Sequence, residues 1–166
     1  MKKIIFLSIL FLFCYSSTYA DGKVYFLDVN YILNNSISGK KVVQKLKDIN
    51  SKNISDYKIK EKELADLENK INKIKNIISE NELKNKIENL KKEINSYRKF
   101  KDKTKSEYNI FKEKELQTFF IKITPYIEEF MKKNSIDIVL DKKNIFIANS
   151  KYDITEDLIK FLNEKS

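Results

Sequence analysis

Between Val43 and Thr118, apolar residues recur at alternating spacings of three and four. The series runs Leu64, Leu67, Ile71, Ile74 and Ile78, then Leu83, Ile87, Leu90, Ile94 and Tyr97. That is the seam of a two-helix coiled coil. The two halves mirror each other about Ser79-Glu80-Asn81-Glu82. Folding there sets Ile78 against Leu83, Ile74 against Ile87, Ile71 against Leu90, Leu67 against Ile94 and Leu64 against Tyr97. The same register continues as Lys60 with Lys101, Tyr57 with Thr104, Asn53 with Tyr108, Asn50 with Phe111, Leu46 with Glu115 and Val43 with Thr118. One register over the whole stretch predicts an antiparallel helical hairpin.

The turn has its own signature. Ser79 with Glu82 three residues on is a capping box, and Ile78 and Leu83 stand where a hydrophobic staple would. The second helix is therefore expected to open at about Glu80. The first, begun near Gly39 with Ser38 as its N-cap, runs some forty residues, or roughly 60 Å. An arm of that length must project from a chain of this size.

Composition narrows the chemistry. Lys2 and Lys3 precede an apolar run from Ile4 to Cys14, and small and polar residues lead to Thr18-Tyr19-Ala20. This reads as a secretory signal peptide cleaved after about Ala20. Cleavage removes the single cysteine, and the chain has no histidine, so thiolate and imidazole chemistry are excluded from the mature chain. Two glycines and one proline leave no phosphate-cradling loop. The acidic residues lie mostly on a solvated helical surface without a convergent pair. Catalytic, cofactor and metal sites are therefore expected to be absent, and the chain is read as a non-enzyme.

Taking Lys2 and Lys3 from the 33 basic residues leaves 31 against 24 acidic ones. Residues 40–115 hold 22 basic and 14 acidic groups, so the arm carries the whole positive excess. Either the charges simply solvate a helix, or they attract anionic partners or lipid surfaces. Nucleic acid is not expected as a partner of an exported chain.

Around the arm the pattern changes. Lys23 to Val29 reads as a strand, Asn30 caps a short helix through Asn35, and Asn34-Asn35-Ser36 ends it. Past Thr118 the returning helix becomes more apolar, with Phe119, Phe120, Ile123, Ile127 and Phe130. Pro125 should kink it where arm meets body. Ile136–Leu140 alternates as a strand, Asp141–Asn144 connects, and Ile145–Ala148 is expected back as its hairpin partner. Thr155 caps a last helix with Leu158, Ile159 and Leu162 facing inward. The fold class is α+β, mostly helical: a coiled-coil hairpin arm (39–118, tip at 79–82) on a small β-rich body (21–38 with 119–166). A body of roughly 65 residues is marginal alone, and its sheet has free edges. Self-association answers both problems.

These parts together resemble the Skp/OmpH family of periplasmic chaperones. The likeness rests on Lys23-Val-Tyr-Phe-Leu-Asp-Val29, on Gly39-Lys40-Lys41 at the helix opening, on Ile136-Asp-Ile-Val-Leu-Asp-Lys142, and on Asp153-Ile154-Thr155 before the final helix. Their order and spacing around a charged hairpin carry it over essentially the whole mature chain. Ile37 departs from a frequent proline, and Asn134-Ser135 from a common glycine. The resemblance implies a homotrimer whose bodies join and whose arms enclose a cavity. It also implies ATP-independent holding of unfolded outer-membrane proteins in the periplasm.

On that reading the expected client contacts are the off-seam apolar residues Ile49, Ile54, Ile59, Phe100 and Ile110. Lysines such as Lys60, Lys84 and Lys91 would supply long-range attraction. Val24, Phe26, Val139 and Phe146 are the expected core and oligomer residues. Two other readings stand beside it. One is a structural coiled-coil tether of the envelope; the other is a surface binder of anionic membrane lipid or lipopolysaccharide.

Overall fold

The computed structural model describes residues 22–166; the expected signal peptide lies outside them. The order of elements is β1 (Val24–Leu27), α1 (Val29–Asn35), α2 (Ile37–Ile74), α3 (Glu80–Asn134), β2 (Ile138–Asp141) and α4 (Thr155–Glu164). Two 3-10 turns, Lys142–Asn144 and Ser150–Tyr152, separate β2 from α4.

The hairpin forms. Helices of 38 and 55 residues correspond to about 57 and 82 Å of axial rise. The chain reverses over residues 75–79, so Glu80 to Glu82 already belong to α3. The capping box is complete. The Ser79 hydroxyl accepts from the Glu82 N–H at 3.4 Å, and the Glu82 carboxylate accepts from the Ser79 N–H at 3.1 Å. The chain remains helical through Pro125.

At the other end, the starts of α1 and α2 differ from expectation. Asp28, not Asn30, caps α1, its carboxylate accepting from the Tyr31 N–H at 2.9 Å. A carboxylate is favoured at a helix N-terminus, and Asn30 already lies within the helix. Ser36, not Ser38, caps α2, accepting from the Gly39 N–H at 3.1 Å. Gly39 is buried against the end of α1, where an added Cβ would lie 2.1 Å from the Leu33 carbonyl oxygen. The glycine is thus what lets α1 fold back on α2.

The body's core forms where α3 re-enters. Phe119, Ile123 and Phe130 of α3 meet Leu158, Ile159 and Leu162 of α4. Leu27, Ile32, Ile136 and Ile154 complete it. α3 ends at Ser135 in the left-handed conformation (φ 52°), the geometry for which glycine is the usual residue.

The strands correct the hairpin expectation. β1 and β2 pair in parallel, with Val24 opposite Ile138 and Leu27 opposite Asp141. Ile145–Ala148 forms no strand. Asp141 instead caps the following 3-10 turn by accepting from the Lys143 N–H at 3.1 Å. The connecting Lys142-Lys143-Asn144 has no glycine and no positive φ, so the tight primed turns that close a hairpin are not available to it. The outer edge of β1 makes a bridge between Phe26 and Asp153.

Candidate functional site

The arm surface is the candidate site, and its geometry follows from where the seam closes. Leu64, Leu67, Ile71, Leu90, Ile94 and Tyr97 are buried or half-buried, whereas Ile87 is 38% exposed. Mid-arm, the side chains depart from the simple register. Phe100 turns into the seam and meets the Tyr57 ring edge-on at 6.0 Å between centroids. Tyr97 donates a hydrogen bond to the Glu61 carboxylate. That bond, foremost, pushes the Tyr97 phenol up to about 12, because it stabilises the protonated form. The like charges expected to oppose each other are separated onto other partners. Lys101 lies 3.7 Å from Glu61 and over the Tyr57 and Tyr97 rings, while Lys60 sits 5.5 Å over Phe100. Nearer the body, Lys45 and Glu115 pair at 3.1 Å.

Of the sequence-predicted contact residues, Ile54, Ile59 and Ile110 stand out from the arm, 44%, 54% and 64% exposed. Lys84 and Lys91 are exposed as well. Ile49 and Phe100 are half-buried, each keeping part of its surface accessible. Each sits one position from a polar residue, Asn50 and Lys101, that the strict heptad places in the seam. A small rotation of the helix gives the seam to the apolar neighbour instead. At the tip, Ile77 is 82% exposed, and only the structure, by ending α2 at Ile74, brings it to the apex.

In the body, Phe26 is buried and Val139 half-buried. Val24 is 42% exposed, and Phe146 and Ile147 are wholly or almost wholly exposed. Phe146 is therefore not a core residue of this chain, since without a hairpin its segment has no sheet to pack on. The Asp153-Ile154-Thr155 motif acts as a clasp between strand and helix. Thr155 Oγ1 accepts from the Asp28 N–H at 2.9 Å, Asp153 accepts from the Thr155 N–H at 3.0 Å, and Lys142 lies 3.1 Å from Asp153.

Sequence reasoning missed a groove on the flank of the arm. It has a volume of about 710 Å³ and is floored by Leu64, Leu67, Tyr97 and Phe100. A heptad pattern reports which residues meet and not how well they fill the space between two helices. Among the described residues, no group of three or more His, Cys, Asp or Glu side chains is placed to hold a metal ion. None of the described helices is long and apolar enough to cross a membrane.

No curated protein matches the chain. A crystal structure from Caulobacter crescentus CB15, of a protein assigned as an outer membrane chaperone (OmpH-like), matches with a TM-score of 0.76 at 18% identity. The alignment covers 87% of this chain and 86% of that one, and at such identity the likeness is one of fold. The model of the family described as outer membrane protein (OmpH-like) matches residues 23–162, from the first strand to the last helix. The chain belongs to the OmpH-like family.

Proposed function

We propose that this protein is an ATP-independent periplasmic holdase that keeps unfolded outer-membrane proteins from aggregating, in a cavity between the arms of a homotrimer. The observation that carries the reading is the projecting two-helix arm, whose basic surface bears isolated exposed isoleucines, in a chain of the OmpH-like family. Ile54, Ile59 and Ile110 offer apolar contact without forming a continuous greasy face, and Lys60, Lys84 and Lys91 attract from a distance. Such a surface grips many sequences weakly, and several arms convert weak contacts into useful retention. Binding the unfolded chain alone shifts it away from aggregation and requires no nucleotide.

Self-association is part of the proposal. The free edge of β2, the half-exposed Val24 and the segment carrying Phe146 and Ile147 are surfaces that a second copy would cover. The leader read at 1–20 supports export to the periplasm.

The test is dilution of a urea-unfolded outer-membrane β-barrel into buffer containing residues 21–166, followed by turbidity. The wild-type chain is expected to suppress aggregation near stoichiometry. Serine at Ile54, Ile59 and Ile110 together is expected to weaken suppression while leaving the oligomer mass unchanged. Undiminished aggregation with the wild-type chain would overturn the reading, and salt-sensitive binding to anionic vesicles without a client would favour the lipid-binding alternative.

A further inference from the structure

The flank groove differs from the rest of the arm in both shape and charge. Its floor is Leu64 and Leu67 from α2 with Tyr97 and Phe100 from α3. Both rings are held: Tyr97 by its hydrogen bond to Glu61, Phe100 by the edge of Tyr57. At about 710 Å³ it is of the size that takes a small molecule or a large side chain with its neighbours. Its rim carries Glu63, Asp66 and Glu93 against Lys60 and Lys70. The rim is thus slightly acidic on an arm that is otherwise strongly basic.

We infer that this groove is a receptor for an aromatic side chain of an extended client segment, with a basic residue beside the ring. The inference rests on the arm being the client-binding surface and names what one part of that surface selects. An aromatic ring fits a floor of leucines and aromatic rings. A lysine or arginine next to it meets the rim carboxylates, whereas an acidic neighbour is repelled. Strands of membrane β-barrels alternate apolar and polar residues and carry aromatic girdles, so an unfolded barrel presents this motif repeatedly. A continuous apolar segment would leave the charged rim unpaired.

The chain has no tryptophan, so emission excited at wavelengths that tyrosine does not absorb reports the peptide probe alone. The probe is an extended alternating peptide with a central tryptophan between lysines, titrated into residues 21–166. A blue shift and saturable binding are expected, with weaker binding when glutamates replace the lysines. Ser96 is an exposed residue on the groove wall. Ser96→Arg plugs the groove and should weaken the peptide by about tenfold. Ser106→Arg adds the same charge at an exposed position of α3 outside the groove and should leave binding unchanged. Glu63→Lys with Glu93→Lys should reverse the preference toward glutamate-flanked probes.

Equal affinity in the two arginine variants, or no blue shift, would overturn the groove as a receptor. Barrel aggregation measured on the same proteins keeps the two ideas apart. Suppression by the wild-type chain without peptide binding rejects the groove and leaves the holdase. Peptide binding lost on Ser96→Arg, without suppression by the wild type, does the reverse.

Discussion

Gly39 and the Asp153–Thr155 pair show how single residues fix the body to the base of the arm. At Gly39 the constraint is space: an added Cβ would meet three backbone atoms of Leu33, all within 2.8 Å. Backbone atoms cannot swing aside as a side chain does. Gly39→Ala is therefore expected to destabilise the fold by about 2–3 kcal/mol, through overpacking, read as a lower urea midpoint. At Asp153 the constraint is charge. Burial alone raises its carboxyl, but hydrogen bonds from Thr155 and the nearby Lys142 outweigh it, so the net shift is downward. A carboxyl depressed in the folded state contributes stability above its ordinary range and loses it as pH falls through the folded value. Asp153→Asn should thus flatten the acid limb of the stability profile below about pH 4, as measured by thermal melts across pH. A mutant profile as steep as the wild type would show that the clasp is not the acid-sensitive element. Both features are partly visible in the sequence: the motifs around Gly39 and Asp153 stand out, but the packing that explains them depends on Leu33 and Lys142, which no local pattern connects.

At the scale of elements, the hairpin was legible because a long periodic pattern averages over its own irregularities. The mirrored seam gave both helices, and the Ser79–Glu82 capping box gave the start of α3. Replacing Ser79 with alanine should cost about 1 kcal/mol and raise hydrogen exchange at the first amides of α3. An unchanged exchange rate there would mean that packing at the tip, and not the cap, sets the start of the helix. Where single residues decide, the pattern failed. Asn50 and Lys101 occupied ideal seam positions, yet Ile49 and Phe100 are the half-buried ones. Hydrophobic burial outweighs ideal spacing when one position of rotation exchanges a polar for an apolar side chain. The strand expected at 145–148 is absent for a different reason. Ile145-Phe146-Ile147-Ala148 is a continuous apolar run, but Asp141 and the glycine-free connection send the chain into a 3-10 turn, and the long crossover pairs β2 in parallel with β1.

Across the whole molecule, a small body anchors helices of about 57 and 82 Å. The body's buried core is centred on α4 and the returning end of α3, while β2 and the Phe146–Ile147 segment remain open. On the function proposed above, further copies complete this unit and their arms face a shared space. The candidate contact surface was legible only in outline: exposed isoleucines among lysines follow from the sequence, whereas the flank groove arises from imperfect filling between two helices. The central claim is that the assembled arms retain an unfolded chain in solution. Its most direct test is light scattering coupled to size exclusion on residues 21–166, alone and then with an unfolded outer-membrane β-barrel diluted from urea. The account predicts a trimer mass that becomes a soluble trimer-plus-client mass. A trimer that elutes unchanged while the barrel precipitates would contradict it.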